Sequence, residues 1–173
     1  TTGVITAKTS FDFEQLRGFN FQVEGRDGGI PPRSATVTVN LFVVDRNDNA
    51  PDILFPLPRN GSIPVERVPR FARAGHLVTK VVAEDADSGS NAWLSYHISQ
   101  ASDSSLFRIS VNTGELRTAR LVFPTDAVKQ SVVVVVQDHG EPPLSSSVIL
   151  GVLLSNAAPQ VIPDFEDIWE PRA

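Results

Sequence analysis

Apolar and polar residues alternate along this chain in short runs, and no run keeps a helical period of 3.6 over three turns. The clearest run is Ser34–Asp45, SATVTVNLFVVD, in which β-branched residues alternate before a continuous apolar end. Seven further runs follow: Ser62–Arg67, Leu77–Ala83, Leu94–Ser99, Phe107–Val111, Glu115–Ala119, Ser131–Gln137 and Ser145–Ser155. In the last, Val148, Leu150, Val152 and Leu154 share one face and leave Ile149 and Leu153 on the other. Turn formers separate the runs, at Asp87–Asn91, Asn112–Gly114 and Asp138–Pro143. Short strands divided by such turns predict an all-β antiparallel sandwich of seven strands. Only Leu121–Ala127 is expected to hold a helical turn.

The pattern also repeats. Thr2-Gly3 recurs as Thr113-Gly114, Asp27 as Asp138, Pro31-Pro32 as Pro142-Pro143, Ser34 as Ser145 and Val37 as Val148, all at one constant offset. That period, about 110 residues, is the size of one sandwich domain. The first copy starts in the middle of its repeat. Half a sandwich cannot bury its own core, so its upstream half is expected on sequence before Thr1. The resulting organisation is a half-repeat with its linker at 1–48, a complete repeat at 49–156 and a tail at 157–173.

Composition narrows the chemistry. The chain has 173 residues, a net charge of −5 and a pI near 5.1, which argues against nucleic acid as a partner. It contains no cysteine, which excludes disulfides, thiolate metal sites and thiol catalysis. The longest purely apolar stretch, Val132–Val136, is too short to span a bilayer. No signal peptide opens the chain, so an extracellular protein would be represented here by a mature fragment.

The acids are clustered rather than spread. Asp45-Arg46-Asn47-Asp48-Asn49-Ala50-Pro51 follows an apolar strand and is rich in residues that disfavour helix and central strand, so it reads as an extended connector. Asp12 and Glu14 stand two apart, as do Asp85 and Asp87, so each pair points one way on an extended backbone. Asp138 closes a strand beside a Gly-Glu-Pro-Pro turn. Loops from one end of a sandwich converge, and several carboxylates brought together raise each other's pKa. A divalent cation removes that cost, and Ca²⁺ takes six to eight oxygens at about 2.3–2.6 Å.

Asp12-x-Glu14, Asp45-x-Asn47-Asp48-Asn49-Ala50-Pro51, Asp85-x-Asp87 and Asp138 resemble the calcium-binding pattern of cadherin repeats. The Thr-Gly-x-Ile/Leu motif in both copies and the Asp-x-Gly-x-Pro-Pro turn add to the resemblance, which covers about residues 1–156. Asn91–Tyr96, Gly114–Arg120 and Gly140–Ser145 look like the last ectodomain repeat of clustered protocadherins of the gamma group. The implied fold is a seven-stranded Greek-key cadherin-type β-sandwich preceded by the C-terminal half of another.

The resemblance implies three calcium ions at the junction. Asp12, Glu14 and Asp48 would hold the outer one. Glu14, Asp45, Asp48, Asp87 and the Arg46 carbonyl would hold the middle one. Asn47, Asp85, Asp87, Asp138 and the carbonyls of Asn49 and Asn91 would hold the third. Asp27 matches Asp138 and would serve the preceding junction. The family also uses a glutamate from the upstream half-repeat, which this chain lacks.

The second copy departs from the pattern. Phe123 and Thr125 stand where Asp12 and Glu14 stand in the first, and the linker decays to Ser155-Asn156-Ala157-Ala158-Pro159. Asp126 remains, and Glu66 has few acidic partners. A downstream calcium junction therefore reads as lost, which fits a membrane-proximal repeat.

Other signals are weaker. His76, His97 and His139 lack zinc-ligand spacing, and no nucleophile motif accompanies the serines, so no enzyme is expected. Asn60-Gly61-Ser62 is an N-glycosylation sequon. Trp93 is expected in the core, and Val161–Trp169 as a docked tail or a stalk. The implied function is calcium-dependent cell–cell adhesion on the extracellular side of a cell membrane, within a membrane-anchored parent. The partners would be other protocadherin ectodomains, paired in cis through this end and in trans through repeats not present here. Leu116, Thr118, Ile149 and Leu153 are the candidate contact residues. The competing class is a calcium-binding accessory or carbohydrate-binding module of a secreted protein. A lectin, however, needs an open cation position and stacking aromatics, and aromatics are 8% of this chain.

Overall fold

The computed structural model describes residues 2–156, so the expectations for the tail lie outside the described residues. The first copy is one antiparallel hairpin, β1 (Gly18–Arg26) and β2 (Ser34–Phe42), in register from Gly18↔Phe42 to Arg26↔Ser34. No residue of either strand is fully buried. Phe42 is 83% exposed and Val37 60%, the condition of strands whose opposing layer is absent.

The second copy is a sandwich. One layer runs β4 (Val65–Pro69), β11 (Ser145–Ser155), β10 (Lys129–Gln137), β7 (Ser95–Ala101). The other contains β3 (Asp52–Phe55) with β6 (Val82–Glu84), and β5 (Leu77–Lys80) with β9 (Glu115–Thr118) and β8 (Phe107–Ile109). Strand alternation builds the core directly. Val132, Val134 and Val136 from β10 and Leu150, Val152 and Leu154 from β11 are buried against Val78, Phe107 and Leu116 from the facing layer. Each fully buried aliphatic side chain contributes about 1.5–3 kcal/mol of transfer free energy.

Two strand positions are each divided between sheets. The run Leu77–Ala83 breaks at Val81: β5 pairs with β9, while β6 pairs with β3. Val81 is fully buried, and its N–H donates to the Gly114 carbonyl at 2.9 Å. Gly114 has φ +70°, and a Cβ there would lie 2.2 Å from the Val81 carbonyl oxygen, so only glycine fits this turn. The first strand is divided in the same way, β3 pairing antiparallel with β6 and β4 parallel with β11. Seven strand positions are thus made from nine segments.

The structure moves three local expectations. The strand expected at Ser62–Arg67 begins at Val65, because Arg59–Ser62 closes a tight turn with Asn60 at φ 49° and Gly61 at φ 75°. Asn60 is exposed on that turn. Leu121–Ala127 forms no helix, only a turn with one Asp126 N–H to Phe123 carbonyl bond, while a 3-10 turn occupies Gly89–Ala92. Trp93 is not in the core: it is 66% exposed and lies on His139, ring centroids 5.1 Å apart.

Candidate metal centre

The linker after β2 crosses the end of the sandwich where the β6–β7 and β10–β11 loops meet. Each of its anchoring residues is tied to one of those loops. The Asp45 carboxylate accepts the Ser88 N–H at 2.9 Å, the Ser88 hydroxyl at 3.0 Å and the Asn91 amide at 3.0 Å, all on one Oδ. Asn47 donates to the Asp138 carboxylate at 3.1 Å and to the Pro142 carbonyl at 2.7 Å. Asn49 donates through its side chain to Asp87 at 2.6 Å and Asp48 at 3.0 Å, and through its N–H to Asp87 at 3.2 Å.

The loops hold their own acids by backbone donors. Asp138 is 3% exposed and accepts the N–H groups of Gly140 and Leu144. Asp27 repeats that arrangement in the first copy, accepting from Gly29 and Arg33, which stand one period before Gly140 and Leu144. Those two N–H groups hold the Asp27 carboxyl below its usual pKa, but Asp27 sits at the other end of the hairpin and takes no part in this site. Asp85 accepts the Asp87 N–H at 3.0 Å.

Burial pushes the Asp85 pKa up, and the neighbouring Asp87, Asp138 and Asp45 charges push it further. Burial also opposes ionisation of Asp45, but the donors from Ser88 and Asn91 outweigh it and its pKa is lowered. Asp12 and Glu14 share a hydrogen bond that lowers the Asp12 pKa and raises that of Glu14.

Carboxylate oxygens of Glu14, Asp45 and Asp87 lie within 4.8 Å of one another. The decisive detail is what remains unpaired. Among the described residues, three buried side-chain oxygens have no hydrogen-bond partner: Asp45 Oδ1, Asn47 Oδ1 and Asp85 Oδ2. All three belong to this junction. A buried unpaired acceptor costs about 1–3 kcal/mol. Three in one place, among clustered carboxylates and with no histidine or thiolate in the set, fit a hard cation such as Ca²⁺.

The structure brings Glu14, Asp45, Asn47, Asp48, Asn49, Asp85, Asp87, Asn91 and Asp138 together at this junction, and Asp12 joins them only through Glu14. The Arg46 carbonyl is engaged by the Asp48 N–H at 3.0 Å. Sequence reasoning missed Ser88, which orients Asp45, and Gly140, which leaves room for Asn47. Both lie in turn clusters it had marked, but nothing in one dimension shows which linker residue they meet.

The interface expectation is corrected in half its members. Leu116 and Thr118 are fully buried. Leu116 is a core residue, and the Thr118 hydroxyl accepts the His76 N–H and donates to the Arg73 carbonyl. Ile149 is 50% exposed and Leu153 half-buried, both on the outer face of β11.

A family model described as Cadherin domain matches residues 65–155. The chain belongs to the cadherin family. Human protocadherin alpha-C1 is 86% identical over 171 residues, covering 99% of this chain and 18% of that protein. Chimpanzee protocadherin gamma-A12 is 54% identical over 171 residues, with 98% and 18% covered. Clustered protocadherins are thus the group resembled, with higher identity to the alpha-C1 protein than to this gamma relative. Among solved structures, the protocadherin gammaB7 EC3-6 cis-dimer superposes with a TM-score of 0.84 at 49% identity, covering 88% of this chain and 37% of that one. The chain spans less than a fifth of the length of these curated relatives.

Proposed function

We propose that this chain is a calcium-stiffened segment of a cell-adhesion ectodomain on the outer side of a cell membrane. Residues 1–48 would complete a preceding repeat and 49–156 form a repeat of their own. Calcium would join them by pairing with the acceptors on both sides of the linker. The observation that carries this reading is the set of three orphaned buried oxygens, two on the linker and one on the β6–β7 loop. Linker and loop are already tied by Asp45, Asn47 and Asn49, so the cation adds charge neutralisation to a preformed cradle. A rigid junction fixes the angle between repeats and so the orientation of their recognition surfaces.

A cis contact with another protocadherin ectodomain is the accompanying proposal. Ile149 stands in register with Val133 of β10, and Val65 on β4 is 58% exposed beside Gly151. These residues make an apolar strip on the outer face, which marks an interface when contiguous.

The test is calorimetry of the intact ectodomain. Ligand binding confined to the native state raises stability by RT ln(1 + [L]/Kd), about 2.7 kcal/mol at one hundred times Kd. Millimolar calcium is expected to raise the melting temperature, and chelation to reverse it. An unchanged melting temperature would refute the calcium reading.

A further inference from the structure

The connector between β3 and β4 carries the sequon Asn60-Gly61-Ser62, which the calcium junction does not use. The fold presents it on a two-residue hairpin turn. The Arg59 N–H donates to the Ser62 carbonyl at 3.2 Å, and the Ser62 N–H returns the bond to the Arg59 carbonyl at 2.9 Å. Asn60 at φ 49° and Gly61 at φ 75° are both left-handed, the conformation that a tight Asn-Gly hairpin demands. Asn60, Gly61 and Ser62 are all exposed, and a Cβ built on Gly61 meets nothing within 4 Å. Among the described residues, neither the Asn60 amide nor the Ser62 hydroxyl takes part in a hydrogen bond. Both groups that sugar transfer requires therefore stand free in the finished fold.

The surroundings of the turn are apolar. β4 is the outer strand of its layer, and β3 pairs with β6 in the other. The chain between them displays Leu54 at 41%, Phe55 at 49%, Leu57 at 56% and Ile63 at 49% exposure. With Arg59 and Ser62 of the turn they line one groove, which runs on to Val65. An exposed apolar edge of this kind is a template for unwanted strand pairing, and natural proteins blunt or cover such edges.

We propose that Asn60 carries an N-linked glycan and that this glycan shields the apolar edge at Leu54, Phe55, Leu57 and Ile63. The acceptor is Asn60 Nδ2, and the donor is an oligosaccharide carried on a lipid pyrophosphate. A bond forms between Nδ2 and the anomeric carbon, the anomeric C–O bond breaks, the lipid pyrophosphate leaves, and the amide gives up one proton. The sugars are bulky and hydrated, so their attachment at the rim of the groove keeps a second strand from the edge. Val65 lines the same groove, so the glycan also limits approach to the cis strip from this side. The inference rests on the extracellular reading and is independent of the calcium junction.

The test uses the parent protein captured from the surface of cultured mammalian cells. The Asn60 peptide is read by mass spectrometry after release of N-glycans by peptide N-glycosidase in heavy-oxygen water. Heavy oxygen at this position in most copies is the expected result. Ser62→Ala keeps both main-chain bonds of the turn but lacks the hydroxyl, and it is expected to lose the label; Ser62→Thr is expected to keep it. Binding of an apolar fluorescent dye to the purified ectodomain is expected to be severalfold higher for Ser62→Ala than for wild type or Ser62→Thr. Surface protein with Asn60 unmodified overturns the proposal, as does aspartate carrying ordinary oxygen there, which means spontaneous deamidation. Equal dye binding by the three forms overturns the shielding. A parent that never reaches the surface overturns the extracellular reading, and this proposal with it.

Discussion

Gly140 sits beneath the linker, and replacing it with alanine tests the junction without touching a ligand. A Cβ at this position would lie 2.1 Å from Asn47 Nδ2 and 2.2 Å from Asn47 Cγ, so the Asn47 side chain must leave. Asn47 then loses its bond to the Asp138 carboxylate and its bond to the Pro142 carbonyl. A hydrogen bond to a charged group contributes about 1.5–3 kcal/mol and a neutral one about 0.5–1.5. Asn47 is half-buried, so water recovers part of this. The expected net loss is about 1–2 kcal/mol, or roughly five- to thirty-fold in calcium affinity. The assay is calorimetric titration with calcium of wild type and Gly140→Ala, with melting of the metal-free forms as control. The metal-free melting temperature is expected to fall by a few degrees as well, because both Asn47 bonds are already formed without calcium, so the decisive readout is the titrated calcium affinity. Wild-type calcium affinity in a folded Gly140→Ala variant would refute the argument that Asn47 belongs to the site.

Asp87→Ala and Asp126→Ala are expected to separate cleanly. The first should abolish most of the calcium-dependent rise in melting temperature; the second should leave that rise intact but lower stability by about 1–3 kcal/mol with or without calcium, because it strips Arg120 of a bidentate partner. Equal effects on calcium titrations would contradict the assignment. Leu116→Ala should cost about 2–5 kcal/mol as a core truncation, whereas Ile149→Asp should leave the fold stable and weaken any self-association seen by sedimentation. A stable, dimer-defective Leu116→Ala variant would reverse that ordering.

Much of this protein was legible in one dimension because its signals are local or periodic. Alternation places Val148, Leu150, Val152 and Leu154 inside and Ile149 outside, since the two faces of a strand are fixed by geometry alone. The internal repeat also contained a strand that alternation did not reveal. β1 and β2 begin one period before β10 and β11, so Gly18–Arg26 could have been read from its copy. The acidic cluster was visible because its chemistry depends on residue type.

What the tertiary structure decided depends on which surfaces meet. The break at Val81 arises because one run of residues serves two sheets, and no local propensity encodes that division. Leu116 and Thr118 look like an exposed strand until the facing layer covers them. Trp93 looks like a core residue until the 3-10 turn carries it outward onto His139. Asp126, which has no acidic neighbour in the chain, joins Asp103 around Arg120 only because two loops close at one pole. Local composition determines what each residue can do; long-range packing determines which residues do it together, because burial is a property of the pair of surfaces and not of either strand.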